Sequence, residues 1–334
     1  MPDIEIFCKD SARGLRQEDF PLLRSAAGSM GRKLLVAWIA SVLLLRAAAV
    51  NACTLWAAAG DEWVKGGGTL IVKNRDVQPN HWQELRLIKP SSGHPYLGLF
   101  AVGGDMPGLK AGINECGLVV VTAVASSIPS KERSAMKSAK GVSRRLLADC
   151  DSVDAALKKT DLFLGPQYLM LADKNKIAYV EIGPEGKFAT KTVDKGVLYH
   201  TNHYVEDKLL WANKKIPTGS QVRYDRIKEL LGETARPFGM KEFIAFSQDR
   251  AAGPDNSIWR TGSKPELPRT LATWIVALPP IGSPKLYVKL ANPGEEEKLI
   301  EENVSDVFAG QAKSHITTHN EPMKQADVPQ TLKR

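Results

Sequence analysis

The sequence predicts an α+β fold of sheet layers with helices outside, and three observations carry that expectation. Strand-like segments come in blocks, before residue 125, between 168 and 203, and from 270 to 290. Helical periodicity, with apolar residues three and four apart, is confined to the intervals between those blocks. No Gly-rich phosphate loop follows a strand, so alternating βαβ units and the nucleotide-binding enzymes built on them rank low. The 334 residues can bury a full core, and 43% hydrophobic with 25% charged residues is an ordinary globular balance. The formal charge of +8 is spread along the chain, with no basic run interleaved with aromatics. Nucleic acid is therefore not an expected partner.

The N-terminus has the three-part layout of a secretory signal. Gly31-Arg32-Lys33 is positive, Leu34 to Leu45 is apolar apart from Ser41, and Ala47 to Ala52 is a run of mostly small residues. The apolar run is short of the roughly 20 residues a membrane span needs. Cleavage before Cys53 is expected, with Met30 a second candidate start and an uncleaved anchor helix the alternative. This divides the chain into an extension and signal (1–52), a main domain (53–293) and a polar tail (294–334). A periplasmic or secreted protein with no stable membrane insertion after cleavage follows. Self-association is left open.

From Cys53 the elements read in order. Cys53–Ala59 and Thr69–Asn74 are strands joined by glycine turns, a hairpin that starts at the new N-terminus. Tyr96–Val102 is a strand, and Gly112–Gly117 a tight turn feeding the apolar run Leu118–Val124. Helices are expected at 142–147 and 153–157, with Asp151-Ser152 as a cap. Tyr168–Ala172 and Ile177–Ile182 form a hairpin, and Val197–His203 a further strand. Helices at 221–231 and 241–247 precede two late strands, 270–278 and 285–290. The tail reads as a solvated helix and a loose terminus.

The chemistry centres on Cys53. A thiol is a weak nucleophile until a base takes its proton. An N-terminal cysteine carries its own base, an α-amine with an unperturbed pKa near ~7.7–8.0. By position alone, Cys53 is also readable as the lipidated cysteine of a membrane-anchored binding protein, or as a buried structural residue. Val50 and Asn51 fit a lipobox poorly. The hairpin brings Lys73-Asn74-Arg75-Asp76 back beside Cys53, where a carboxylate can hold the new ammonium or orient the thiol. Of the four cysteines, Cys116 and Cys150 could pair, leaving Cys53 free. His200 and His203, three apart on a strand, point to opposite faces, and no metal is expected. Trp56, Trp63, Trp82, Trp259 and Trp274 are candidates for an acyl pocket or for plain core.

A Cys-Thr start, a glycine turn and a strand ending Lys-Asn-Arg-Asp resemble the choloylglycine hydrolase, penicillin V acylase and acyl-CoA:6-aminopenicillanate acyltransferase superfamily. Gly112-Ile-Asn-Glu-Cys-Gly-Leu118, Thr201-Asn202 and Asn256-Ser-Ile-Trp-Arg260 are similar to further motifs of that superfamily, in the same order. The resemblance spans about residues 53–293. It implies an N-terminal nucleophile hydrolase with a four-layer αββα sandwich of two antiparallel sheets and no cofactor. It implies Cys53 as nucleophile and, through its amine, base; Asp76 as partner of the amino end or thiol; Asn202 as oxyanion donor; and Arg260 as the residue ordering the acidic group. Lys73 and Asn74 would bind substrate or support the site. The position where bile-salt hydrolases carry a second asparagine falls on Val124, which turns the expectation away from bile salts. The implied activity is hydrolysis of a linear amide C–N bond in a small molecule, with acyl transfer or dipeptide cleavage as alternatives.

Overall fold

The computed structural model describes residues 52–321 except 105 and 315. The signal, its cleavage motif and the second start at Met30 lie outside those residues. In chain order the elements are β1 (Ala52–Ala59), β2 (Thr69–Val77), β3 (Trp82–Pro90), β4 (Tyr96–Val102), β5 (Gly108–Asn114) and β6 (Val119–Val124). Helices α1 (Ser130–Ala135), α2 (Val142–Asp149) and α3 (Val153–Leu157) follow, then β7 (Gln167–Ala172), β8 (Ile177–Ile182), β9 (Phe188–Val193) and β10 (Gly196–His200). The rest is α4 (Thr218–Glu233), α5 (Met240–Ser247), α6 (Gly253–Asn256), β11 (Arg269–Leu278), β12 (Lys285–Leu290), β13 (Lys298–Asn303), α7 (Val304–Phe308) and β14 (Thr317–Glu321).

The strands form two sheets, in the orders β10-β1-β2-β11-β12-β13 and β14-β3-β4-β5-β6-β7-β8-β9. Every pairing between these strands is antiparallel except β14 with β3. Side chains alternate across a strand, so each sheet has two faces to cover. Leu55, Ala57, Ile71 and Trp274 of the first sheet meet Leu97, Leu99, Val121 and Met170 of the second in a shared core. The outer face of the first sheet, with Trp56, Val72 and Ile275, is covered by Ile227 and Leu231 of α4 and Phe243 and Phe246 of α5. The outer face of the second, with Val120, Leu169 and Val180, is covered by Leu146 and Leu147 of α2 and Val153 of α3. Helix, sheet, sheet, helix is the expected αββα sandwich.

The segment Gly112–Leu118 shows why its residues take this pattern. A Cβ on Gly112 would sit 2.6 Å from Leu147 Cδ1 and 3.0 Å from the Leu97 carbonyl oxygen, so α2 can pack this close only over a glycine. Gly117 takes φ +89°, which a side chain would strain. Between them, Asn114 accepts from Leu118 N (2.9 Å) and donates to the carbonyls of Leu147 (2.8 Å) and Cys150 (2.7 Å). One buried side chain closes the turn and caps the end of α2.

Two expectations need correction. The tail after residue 293 is not loose throughout: β13 pairs with β12, β14 with β3, and Val304 and Val307 enter the core between the sheets. Its polar sequence suits edge strands exposed on one side. Cys116 and Cys150 form no disulfide; the first is exposed and the second buried.

Asn114→Ala is expected to lower unfolding free energy by roughly 2–4 kcal/mol, since it leaves three buried backbone groups unpaired. Urea titration checks this; a loss under 0.5 kcal/mol (about the scatter of a surface change) would mean that water replaces the side chain.

Candidate active site

The register of the first hairpin decides which residues share a face. Cys53 stands opposite Arg75 and Leu55 opposite Lys73, while Thr54 stands opposite Asn74 and Ala52 opposite Asp76. Cross-strand partners lie on the same side of a sheet. Cys53, Lys73 and Arg75 therefore face the space between the sheets, and Asn74 and Asp76 face the helices. All nine β2 residues are buried, the four consecutive polar ones included.

On the inner face, Lys73 Nζ lies 3.4 Å from Cys53 Sγ and donates to the Thr122 carbonyl. Burial pushes the Lys73 ammonium below its ordinary pKa, and the adjacent cysteine partly restores it. Arg75, also buried, donates through Nε to Gln83 Oε1 (2.7 Å). These three residues line a cavity of about 860 Å³ that continues past Thr122–Val124 to the helical segments 130–144. Its aromatic lining is Tyr96 and Phe100; none of the five candidate tryptophans reaches it. Trp56 and Trp274 are core residues, fully buried.

Asn202 sits at the end of the strand that flanks β1. Its Oδ1 accepts from Cys53 N (2.8 Å) and from Arg223 Nη2 (3.2 Å), and its Nδ2 donates to the Val124 carbonyl (2.9 Å). Two donors on one atom and an acceptor on the other fix the orientation of the amide. The position that lacks an asparagine side chain, Val124, thus supplies a carbonyl that takes one hydrogen of Nδ2. Asn202 thus holds the backbone of Cys53, and these contacts leave one Nδ2 hydrogen unused.

On the helix face, Asp76 does not meet the thiol. Its Oδ1 accepts from Thr270 Oγ1 (2.8 Å), and its Oδ2 lies 3.8 Å from Arg223 Nη1. Burial raises its pKa, against the pull of Arg223 and then Arg260. Arg260 acts on Asp76 through its charge and through its backbone N–H, which donates to the Thr270 hydroxyl (2.8 Å) that bonds Asp76; its Nε has no hydrogen-bond partner among the described residues, and it does not line the cavity. Asn74 is a clamp rather than a substrate contact. It donates to the carbonyls of Ser247 (2.7 Å) and Ile258 (2.9 Å) and accepts from Thr273 Oγ1 (2.8 Å).

Sequence reasoning missed Arg223. It lies on α4, 1% exposed, and donates from Nη1 to the Cys53 carbonyl (2.7 Å) and to Thr54 Oγ1 (2.9 Å). With its bonds to Asn202 and its pairing with Asp76, it ties together four pieces of the site. Burial lowers its pKa to about 10, Asp76 opposing, so it stays charged near neutrality. The only sequence signal was an arginine among the apolar positions of an otherwise ordinary helix.

The two histidines part to different neighbours. His200 Nε2 meets Glu181 Oε1 at 2.8 Å, both fully buried. His203 Nδ1 lies 2.8 Å from Ser220 Oγ, and that hydroxyl also accepts from Asn202 N (2.9 Å). Burial, with His200 nearby, lowers the His203 pKa from 6.5 to about 4. Among the described residues no group of three His, Cys, Asp or Glu could hold a metal ion.

Residues 63–295 match the family model described as acyl-coenzyme A:6-aminopenicillanic acid acyl-transferase, and the chain belongs to that family. It is one of the groups its motifs resemble. The match begins ten residues after Cys53 and so does not include that residue. Among solved structures, the chain is similar to a mutant conjugated bile acid hydrolase from Clostridium perfringens, at 14% identity and a TM-score of 0.48, over 81% of this chain and 100% of that one. It is also similar to a Caenorhabditis elegans N-acylethanolamine-hydrolyzing acid amidase ortholog, at 14% identity and a TM-score of 0.45, over 69% of this chain and 94% of that one. No curated protein sequence matches.

Two outcomes follow. Arg223→Gln strands the Asp76 carboxylate in a dry site and should cost about 3–5 kcal/mol of stability; adding Asp76→Asn should recover part of it. Urea unfolding of the single and double variants checks both. His203 is held neutral in the folded state and takes up a proton on unfolding below pH 6.5, so its contribution is complete above that pH and is lost as pH falls toward 4. The fall should approach roughly 3 kcal/mol, at about 1.4 kcal/mol per pH unit. The stability difference between the protein and His203→Asn should therefore shrink between pH 7 and pH 4.5; a constant difference would sink the assignment.

Proposed function

We propose that the protein is an exported cysteine-nucleophile amidohydrolase that cleaves linear amide C–N bonds through a thioester acyl-enzyme. One observation carries the reading: Cys53 Sγ opens onto the cavity 3.4 Å from a buried lysine, while its backbone nitrogen is held by Asn202 and its carbonyl by Arg223. A plain core cysteine needs none of these partners, and a lipidated one would have its sulfur and nitrogen both consumed.

In this reading the signal is removed between Ala52 and Cys53, and Cys53 N becomes a free amine. That amine takes the thiol proton, and the Lys73 ammonium stabilises the thiolate. Sulfur adds to the substrate carbonyl, whose π electrons move to oxygen. The remaining Nδ2 hydrogen of Asn202 and the Lys73 ammonium offset that charge, and a preorganised donor of this kind is worth about 2.7–4 kcal/mol of barrier. The ammonium of Cys53 then protonates the leaving nitrogen as the C–N bond breaks. Water, activated by the same amine, hydrolyses the thioester. An amine in place of water would complete acyl transfer, a second reading that the family assignment favours.

The intact mass of the exported protein should correspond to a chain starting at Cys53 without a diacylglyceryl adduct. Cys53→Ala should abolish release of amine from a panel of N-acyl amines and N-acyl amino acids. Turnover unchanged in that variant would refute the nucleophile. Adding a second amine to the assay separates hydrolysis from transfer, because only transfer yields a new amide.

A further inference from the structure

The far wall of the cavity is built differently from the wall at Cys53. Helix α2 begins there, and Gly141, Val142, Ser143 and Arg144 of its first turn all line the cavity. Its N-cap is Gly141, in the left-handed region at φ 65°, and no side chain caps the turn. The first N–H groups of a helix lack intrahelical partners and carry the positive end of its dipole. Such an end is suited to anions.

A second observation comes from the same wall. Ser143 is only 8% exposed, lines the cavity, and its hydroxyl makes no hydrogen bond among the described residues. A hydroxyl on a cavity wall with no protein partner is open to a ligand or to water. A third comes from Arg133, which also lines the cavity. Its Nη1 is anchored to the carbonyls of Ala125 (3.1 Å) and Ile128 (2.9 Å). Those acceptors are neutral, and among the described residues no carboxylate pairs with it. The cavity's described lining holds six Lys or Arg side chains and no Asp or Glu.

We infer that the first turn of α2, Ser143 and Arg133 form an anion subsite, and that the amide cut at Cys53 carries a carboxylate or phosphate group seated there. The substrate part of this inference rests on the proposed amidohydrolase; the anion site does not. The anion accepts from the open N–H groups of the turn, from the Ser143 hydroxyl and from the guanidinium of Arg133. The charge of the guanidinium, anchored on one side, is directed into the cavity rather than spent on a neighbour.

Isothermal titration calorimetry on the exported protein tests the site without turnover. Glutarate and inorganic phosphate are the probes, and glutaramide is the neutral control. At least one anion is expected to bind at one site, the tighter naming the group, and glutaramide is expected not to bind. Arg133→Gln should weaken anion binding about ten-fold or more, as losing a hydrogen bond to a charged group does, and Arg133→Lys should retain most of it. Ser143→Asp places a tethered carboxylate at the helix end, where it is compatible with folding, and should abolish anion binding. Absence of binding by both anions, equal binding of glutaramide, or unchanged binding in the Ser143→Asp protein would overturn the inference. Anion binding in a protein that cleaves no amide would uphold the subsite and remove only the proposed reaction.

Discussion

The site depends on one buried cation. Arg223 reaches from α4 through the first sheet's helix-side face and donates to the carbonyl of Cys53 while its second nitrogen donates to Asn202. A guanidinium can do this because its donors are arranged in a rigid planar fork, so several acceptors are held in fixed relation to each other. Asp76 offsets its charge from the same face. Neither charge is comfortable where it sits: burial works against both, lowering the pKa of one and raising that of the other. In return the Cys53 backbone, the Asn202 amide and the acidic group share one anchor.

That anchor explains how the two faces of one sheet cooperate. The thiol and Lys73 look into the cavity, and Asn74, Asp76 and Arg223 work from behind. A strand has only two directions for its side chains, so a chemistry-bearing strand in a sandwich can place its reactive groups on one side and their supports on the other. Four consecutive buried polar residues on β2 look costly when counted singly. Each has its partner: Cys53 for Lys73, two helix-side carbonyls for Asn74, Gln83 for Arg75, Thr270 and Arg223 for Asp76.

Asn202 is fixed from both ends of its amide. With valine at 124, no side-chain amide comes from that position, and its backbone carbonyl accepts a hydrogen of Asn202 Nδ2. The donor set around the sulfur therefore leans on Lys73, a compact charge where a guanidinium would offer a fork. The described lining of the cavity beyond holds Lys and Arg side chains and no Asp or Glu.

Local pattern determined much of this protein. The hairpin that brings Lys73–Asp76 beside Cys53, the helices starting at 142 and 153, and the late strands β11 and β12 follow from apolar periodicity and turn residues, which act over a few positions. The order of the motifs was enough to identify the sandwich. Less apolar elements were less legible: β3, β9 and β13 are polar on one side, and β14 pairs in parallel with a strand more than 200 residues earlier, a contact with no local signature. The tertiary structure alone decided which residues meet Cys53. Register put Asp76 behind the sheet rather than at the thiol, and α4 delivered Arg223 from 170 residues away. Such placements depend on how layers pack, and the spacing of letters along the chain does not encode that.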